Sequence, residues 1–295
     1  VATLLLDKTI NKVKLLPLVE PATFLRRINV KVKNDWQRDN WVEKRLIVNH
    51  DYQFIYCPVY KVASSSMMAA LLALSNSSKK EKLLQGSRLN IRMYIELNYS
   101  LASYSYSKAK QFLSSDYFKF VIVRNPWEKL VSTYANFFVA LLPNGEPSDF
   151  SKRLTCQFHG AENYEMHKDS MSFRQFIIDY ILPTKDEDLN LHCTPQNLFL
   201  GDVKYDFIGK QETLNTDLKY IKEKLNLPLE LPKLNRTKYD SGSGYSQNFA
   251  DFSPQDLRKL PHGLPKYQQF YTPELIEIVR QRYQKDIERF TYDFE

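Results

Sequence analysis

Two short apolar runs, each followed by a tight loop and then by good helix formers, constrain this chain more than any other feature. The first run, Gln53-Phe54-Ile55-Tyr56-Cys57, is β-prone, ends at Pro58 and leads through a short loop into a helical stretch over residues 65–74. The second, Lys119-Phe120-Val121-Ile122-Val123, is followed closely by Pro126, which suits a first helical position. Trp127, Leu130, Val131, Tyr134 and Phe138 then recur at helical spacing and form one apolar face. Both runs read as buried strands. Two strand-loop-helix units in one chain predict an α/β fold with a central, largely parallel sheet flanked by helices.

The rest of the chain is organised around these units. Residues 1–50 mix short apolar and basic stretches without a clear period and read as a lead-in arm packed on a single domain spanning 51–295. Residues 141–172 turn polar, contain Pro143-Asn144-Gly145 and read as an irregular surface insertion. Helical patterning resumes over 173–181, a further strand is expected within 203–208, and a helix over 214–225. Residues 228–262 open with a stretch rich in Pro, Gly, Ser and basic side chains, the composition of a long loop. A closing helix is well marked: Thr272 can cap it and Pro273 can start it. Leu275, Ile278, Val279, Tyr283, Ile287 and Phe290 recur on one of its faces.

Charge narrows the partners. The chain carries 41 basic against 34 acidic residues, a net charge of +7. This modest excess suits a phosphorylated nucleotide or an acidic glycan as well as nucleic acid. Cys57, Cys156 and Cys193 cannot close a disulfide framework, and one bridge at most, Cys156 with Cys193, is conceivable. No apolar run approaches the roughly 20 residues of a membrane span. No secretory leader pattern opens the sequence, although removal of a leader or anchor before Val1 stays open. The N-x-[ST] sequons at Asn76, Asn98 and Asn235 are about as many as chance supplies.

The chemistry concentrates at the two strand-to-helix junctions. Lys61-Val62-Ala63-Ser64-Ser65-Ser66 lies where backbone N–H groups and the positive end of a helix make an anion site, and a lysine and three hydroxyls add donors. The loop lacks the glycines of G-x-x-x-x-G-K-[ST], which disfavours nucleoside triphosphate hydrolysis. At the second junction Arg124 stands at the carboxyl end of a strand, the edge at which open α/β sheets bind ligands. Ser132 follows nearly two turns into the helix, about 9 Å along its axis, so an extended arginine and this serine can converge on one phosphate.

Lys61-Val62-Ala63-Ser64-Ser65-Ser66 after one strand and Val123-Arg124-Asn125-Pro126-Trp127-Glu128-Lys129-Leu130-Val131-Ser132 after another resemble the sulfotransferases that use 3'-phosphoadenosine-5'-phosphosulfate (PAPS). The likeness is to the group that holds Golgi carbohydrate sulfotransferases and their bacterial relatives. It extends through Leu191-His192-Cys193-Thr194-Pro195-Gln196 and Tyr205-Asp206-Phe207-Ile208-Gly209-Lys210-Gln211-Glu212-Thr213-Leu214. Leu231-Pro232-Lys233-Leu234-Asn235 and Val279-x-x-x-Tyr283-x-x-Asp286-Ile287-x-x-Phe290-x-Tyr292 continue it to the C-terminus. The order and spacing of these segments carry the specificity.

The resemblance implies a P-loop-like domain that binds PAPS and no metal, and an acceptor hydroxyl of a carbohydrate or similar molecule rather than nucleic acid. Lys61 to Ser66 would hold the 5'-phosphosulfate, and Arg124 with Ser132 the 3'-phosphate. Arg236, Thr237 and Lys238 would lie in a loop that covers the nucleotide. Tyr60 departs from the pattern, because the family usually places proline directly before the lysine. In-line displacement at sulfur calls for a donor at the leaving oxygen, a role for Lys61, and for a general base at the acceptor. His192 is the first candidate base and Glu96 the second, while His159 and His167 fit acceptor contacts. A cytoplasmic location is expected for a bacterial host and the Golgi lumen for a eukaryotic one, with the scarcity of cysteine leaning toward the former. The oligomeric state is left open. The rival readings are a phosphotransferase, which would need a metal-binding carboxylate, and a non-catalytic binder of acidic glycan or nucleic acid.

Overall fold

A computed structural model of the chain describes residues 42–228 and 245–294. Most of the lead-in arm, together with Arg236, Thr237 and Lys238, lies outside the described residues.

The described sheet has four strands in the order β1 (Ile47–Asn49), β2 (Phe54–Cys57), β3 (Phe118–Val123) and β4 (Phe207–Lys210). β1 runs antiparallel to β2, while β2, β3 and β4 are parallel. β2 is buried along its whole length, as is β3 from Phe120 to Val123, which is why both read as unbroken apolar runs. β1 falls inside the segment read as an arm. With three residues it offers too short a pattern to be recognised as a strand.

Helices cover the sheet. After β2 come α1 (Ser64–Leu74) and α2 (Arg88–Tyr99); after β3 comes α3 (Pro126–Tyr134). The insertion contains a helix of its own, α4 (Asp149–His159), capped by Ser148. Helix α5 (Leu214–Lys224) follows β4. The closing apolar stripe is divided between α6 (Pro273–Arg282) and α7 (Gln284–Phe290), because Tyr283 leaves helical geometry at φ −114° and ψ 22°.

Two helical stretches widen. α3 passes directly into a π-helical turn, Ala135–Val139, and the expected helix over 173–181 becomes a π-helical turn from Phe176 to Ile181. The Arg258 guanidinium donates to the carbonyls of Phe138 and Val139 at the end of the first turn. Trp127, Leu130, Val131, Tyr134 and Phe138 are buried there with Phe173, Phe176, Phe270, Leu275 and Val279, forming one apolar core cluster. The three cysteines are free, so the Cys156–Cys193 bridge does not form.

Candidate active site

Parallel register places the two chemical junctions side by side. Cys57 pairs with Val121, so the carboxyl ends of β2 and β3 leave the sheet at one edge as neighbouring strands, about 4.8 Å apart. The Arg124 side chain then reaches across, and its Nη1 donates to the carbonyl of Lys61 at 3.2 Å. Its Nη2 is paired with Glu128 one turn along α3, at 2.8 Å.

The Lys61 loop obtains without glycine a geometry that usually needs it. Lys61 and Ala63 both sit in the left-handed region, at φ 65° and 63°. Each such residue costs about 1–3 kcal/mol, a strain that persists only where the surroundings over-determine the backbone. Left-handed residues of this kind turn successive N–H groups toward a common concavity. Ala63 is the N-cap of α1 and offers no side-chain acceptor, so the first N–H groups of that helix are left without the cap that Ser87 gives α2 and Asn125 gives α3. Val62, Ser64, Ser65 and Ser66 complete the turn, and no side-chain hydrogen bond is made by these three serines among the described residues.

Lys61 itself makes no side-chain hydrogen bond or ion pair among the described residues. Burial, and next the positive charge of Arg124, bring its pKa down to about 8. A desolvated ammonium beside a second cation and over an uncapped helix start is complementary to an anion.

His192 approaches the same loop from the other side. Its ring meets the edge of Tyr60 at 4.8 Å between centroids, and Phe137, carried by the π-helical turn, at 4.9 Å. Asn190 Oδ1 accepts from the backbone N–H of His192 at 3.0 Å and contacts its Nδ1 at 2.8 Å. A backbone N–H can only donate, so this Asn190 atom is the carbonyl oxygen and the hydrogen-bond network assigns the proton to Nδ1. Nε2 is left with the lone pair. Burial first, then the charges of Lys61, Arg92 and Lys129, hold the imidazole well below the usual histidine pKa.

The other candidate base is engaged differently. Glu96 accepts from Arg92 Nε at 2.7 Å, and the Arg92 guanidinium lies over the Tyr60 ring at 4.0 Å. Ser132 is buried in α3, and its hydroxyl makes no hydrogen bond among the described residues. Its neighbour Thr133 donates to Lys129 O at 2.8 Å and lies 3.3 Å from the His192 carbonyl, so the one hydroxyl is shared between α3 and the histidine segment. His159 and His167 stack on each other with centroids 4.0 Å apart.

Several residues that hold this site were not singled out by their chemistry. Gln196 clamps the Arg124 backbone from both directions: its Oε1 accepts from the N–H at 2.9 Å and its Nε2 donates to the carbonyl at 2.7 Å. Asp286 in turn accepts from the backbone N–H groups of Gln196 and Asn197, at 2.5 and 2.7 Å. Burial raises its pKa against the pull of those bonds. Lys129, buried beside Arg124's helix turn, donates to Thr194 O at 2.8 Å. Glu212 accepts from the Asn125 N–H at 2.7 Å and from the Tyr292 hydroxyl at 3.0 Å. Asp286 carried a sequence signal: three residues after Tyr283 and four before Phe290, it falls on an apolar stripe. Asp286→Ala leaves the buried Gln196 N–H and the part-buried Asn197 N–H unpaired, at about 1–3 kcal/mol each. Urea unfolding is expected to record a loss of about 2–5 kcal/mol.

Comparison with known proteins adds an independent line. The sequence profile of the sulfotransferase family matches residues 44–293. The chain is 30% identical over 189 residues to carbohydrate sulfotransferase 11 of Rattus norvegicus, covering 60% of this chain and 52% of that protein. It is 27% identical over 198 residues to carbohydrate sulfotransferase 14 of Danio rerio, covering 63% and 49%. With carbohydrate sulfotransferase 10 of Danio rerio the identity is 24% over 247 residues, covering 75% and 64%. The chain spans about half the length of the first two of these relatives. No solved structure is a significant match.

Proposed function

This chain belongs to the sulfotransferase family, and we propose that it moves a sulfuryl group from PAPS to a hydroxyl of a carbohydrate. The observation that carries the reading is the hydrogen bond from Arg124 Nη1 to Lys61 O, which joins the two anion-seeking junctions at one sheet edge. A doubly phosphorylated adenosine has two anionic ends to be gripped, and two adjacent cationic junctions suit it. The names of the relatives, carbohydrate sulfotransferases 10, 11 and 14, support a carbohydrate acceptor.

The residues divide the work. Lys61, the uncapped N–H groups at the start of α1 and the hydroxyls of Ser64, Ser65 and Ser66 would hold the 5'-phosphosulfate. Arg124 and Ser132 would take the 3'-phosphate, with Gln196 and Asp286 fixing the backbone that carries Arg124. The bound donor supplies the sulfuryl group and a bisphosphate as leaving group. As the acceptor oxygen bonds to sulfur, the bond from sulfur to the leaving phosphate oxygen breaks. Lys61 would neutralise the charge that gathers on that oxygen. His192 Nε2, deprotonated and lined by cations, would take the acceptor proton. Glu96 is the weaker candidate, because its carboxylate is already committed to Arg92.

Titration with adenosine 3',5'-bisphosphate tests this directly. A ligand that binds only the folded state stabilises it by about 2.7 kcal/mol at a concentration near 100 Kd, a rise in Tm of about 5 °C or more. Arg124→Ala is expected to weaken that binding about 10- to 100-fold, the loss of a charge-assisted hydrogen bond. A shift with ATP and magnesium but none with the bisphosphate would overturn the reading.

A further inference from the structure

We infer that Tyr60 is a positioning residue for the proposed transfer, its ring fixing the Lys61 loop on one side and the His192 imidazole on the other. The inference rests on the sulfotransferase reading for its consequence but not for its geometry. Tyr60 precedes Lys61 and, unlike a proline, has no ring closure of its own to restrain the chain there. Here the restraint comes from outside. The Arg92 guanidinium lies over the Tyr60 ring at 4.0 Å and the Arg45 guanidinium at 5.3 Å. Arg45 also lies over Phe199 at 4.4 Å and donates to Pro58 O at 3.3 Å, at the start of the same loop.

This clamp explains two features that otherwise have no cause. Lys61, directly after Tyr60, keeps a left-handed backbone with a full side chain, which requires its neighbours to be held. Arg124 secures the carbonyl side of Lys61, and the clamped ring secures the other side. Arg92 Nη2 is buried with no hydrogen-bond partner, yet the guanidinium as a whole lies on an aromatic face. Desolvation strengthens a cation–π contact of this kind. Glu96 orients Arg92 for that contact, which gives the carboxylate a role other than proton transfer. His192, half-buried, then packs edge-on against the same ring and is faced by Lys61 of the β2–α1 loop, Arg92 of α2 and Lys129 of α3.

Four variants of the full chain separate the two sides: Tyr60→Phe, Tyr60→Ala, Tyr60→Pro and Arg92→Met. Affinity for adenosine 3',5'-bisphosphate is read by calorimetry, and the His192 titration by the imidazole proton resonances. Tyr60→Phe, which keeps the ring, is expected to match wild type in both. Tyr60→Ala weakens the bisphosphate about 10-fold, roughly one hydrogen bond's worth, and moves the His192 titration upward as water reaches the ring. Tyr60→Pro regains most of the affinity, since the Tyr60 N–H makes no hydrogen bond among the described residues, but leaves His192 shifted. Arg92→Met, which uncovers the ring without removing it, gives an intermediate loss of affinity and stands in for Tyr60→Ala if that variant fails to fold. Equal affinities across the set, or an unmoved His192 titration in Tyr60→Ala, overturn the inference. A wild-type chain that binds no bisphosphate defeats the donor reading instead, while the His192 titration still decides the role of Tyr60.

Discussion

Lys61→Met lowers kcat about 10²- to 10³-fold, the cost of removing one donor aimed at developing charge, and at the same time raises Tm. Both directions come from one fact: the half-buried Lys61 ammonium lies beside Arg124 with no hydrogen bond or ion pair of its own among the described residues. Its folded pKa, lowered to about 8, lies below the value it has in the unfolded chain. Between those two values the unfolded chain binds more protons, so stability rises with pH across that window. Below about 8 the ammonium is present in both states and its full cost is felt. Methionine has no charge to desolvate. The gain in Tm is therefore largest at neutral and acidic pH, shrinks as pH rises from about 8 toward 10.5, and disappears only above that, where the wild-type lysine is neutral in both states. Thermal melts from pH 6 to 10, run beside transfer of labelled sulfate from PAPS into a panel of glycans, read both effects. A variant that melts lower and turns over normally would mean that Lys61 is a structural lysine.

The sequence disclosed the parts of this fold that depend on local pattern. β2 and β3 are legible because a strand buried on both faces is apolar at every position, and α3 because its apolar residues keep helical spacing. β1 is three residues long and has no pattern to read. The helix in residues 141–172 is amphipathic but follows a turn-rich stretch, and the polar text masks it. The break at Tyr283 leaves the apolar stripe intact, because Tyr283 is itself buried between α6 and α7.

The candidate site divides along the same line. Lys61, Arg124 and His192 were named because their side chains carry chemistry, and the structure gathers them around Tyr60 and the end of β3. The left-handed backbone of Lys61 and Ala63 was not legible, since the usual marker of that conformation is glycine and the loop has none. Gln196 and Asp286 stand within the segments that carry the resemblance, but their roles are not legible there for another reason. They act on backbone groups 72 and 90 positions away, and a side chain that satisfies a distant peptide leaves no local spacing to detect. For Asp286, a carboxylate on an apolar stripe is the local clue.

His192→Gln is expected to reduce kcat about 10²- to 10⁴-fold, the range of general base catalysis, and to leave the affinity for adenosine 3',5'-bisphosphate unchanged. The separation follows from position. His192 belongs to the segment that Asn190 holds, and its ring packs edge-on against Tyr60 rather than lying within the Lys61 loop. Asn190 fixes the proton on Nδ1, so the nitrogen that would face an acceptor is a base without any prior proton loss. Its depressed pKa extends this condition to acid. Wild-type kcat/KM should stay level as pH falls through the ordinary histidine range and decline only well below it. An enzyme relying on Glu96 instead would keep most of its turnover in His192→Gln and lose it in Glu96→Gln. Under the present assignment Glu96→Gln costs far less, because glutamine still accepts from Arg92 Nε and keeps the guanidinium over Tyr60. Steady-state profiles of the two variants from pH 5 to 9 decide between the bases, and a His192→Gln enzyme with wild-type kcat would remove the histidine from the reaction.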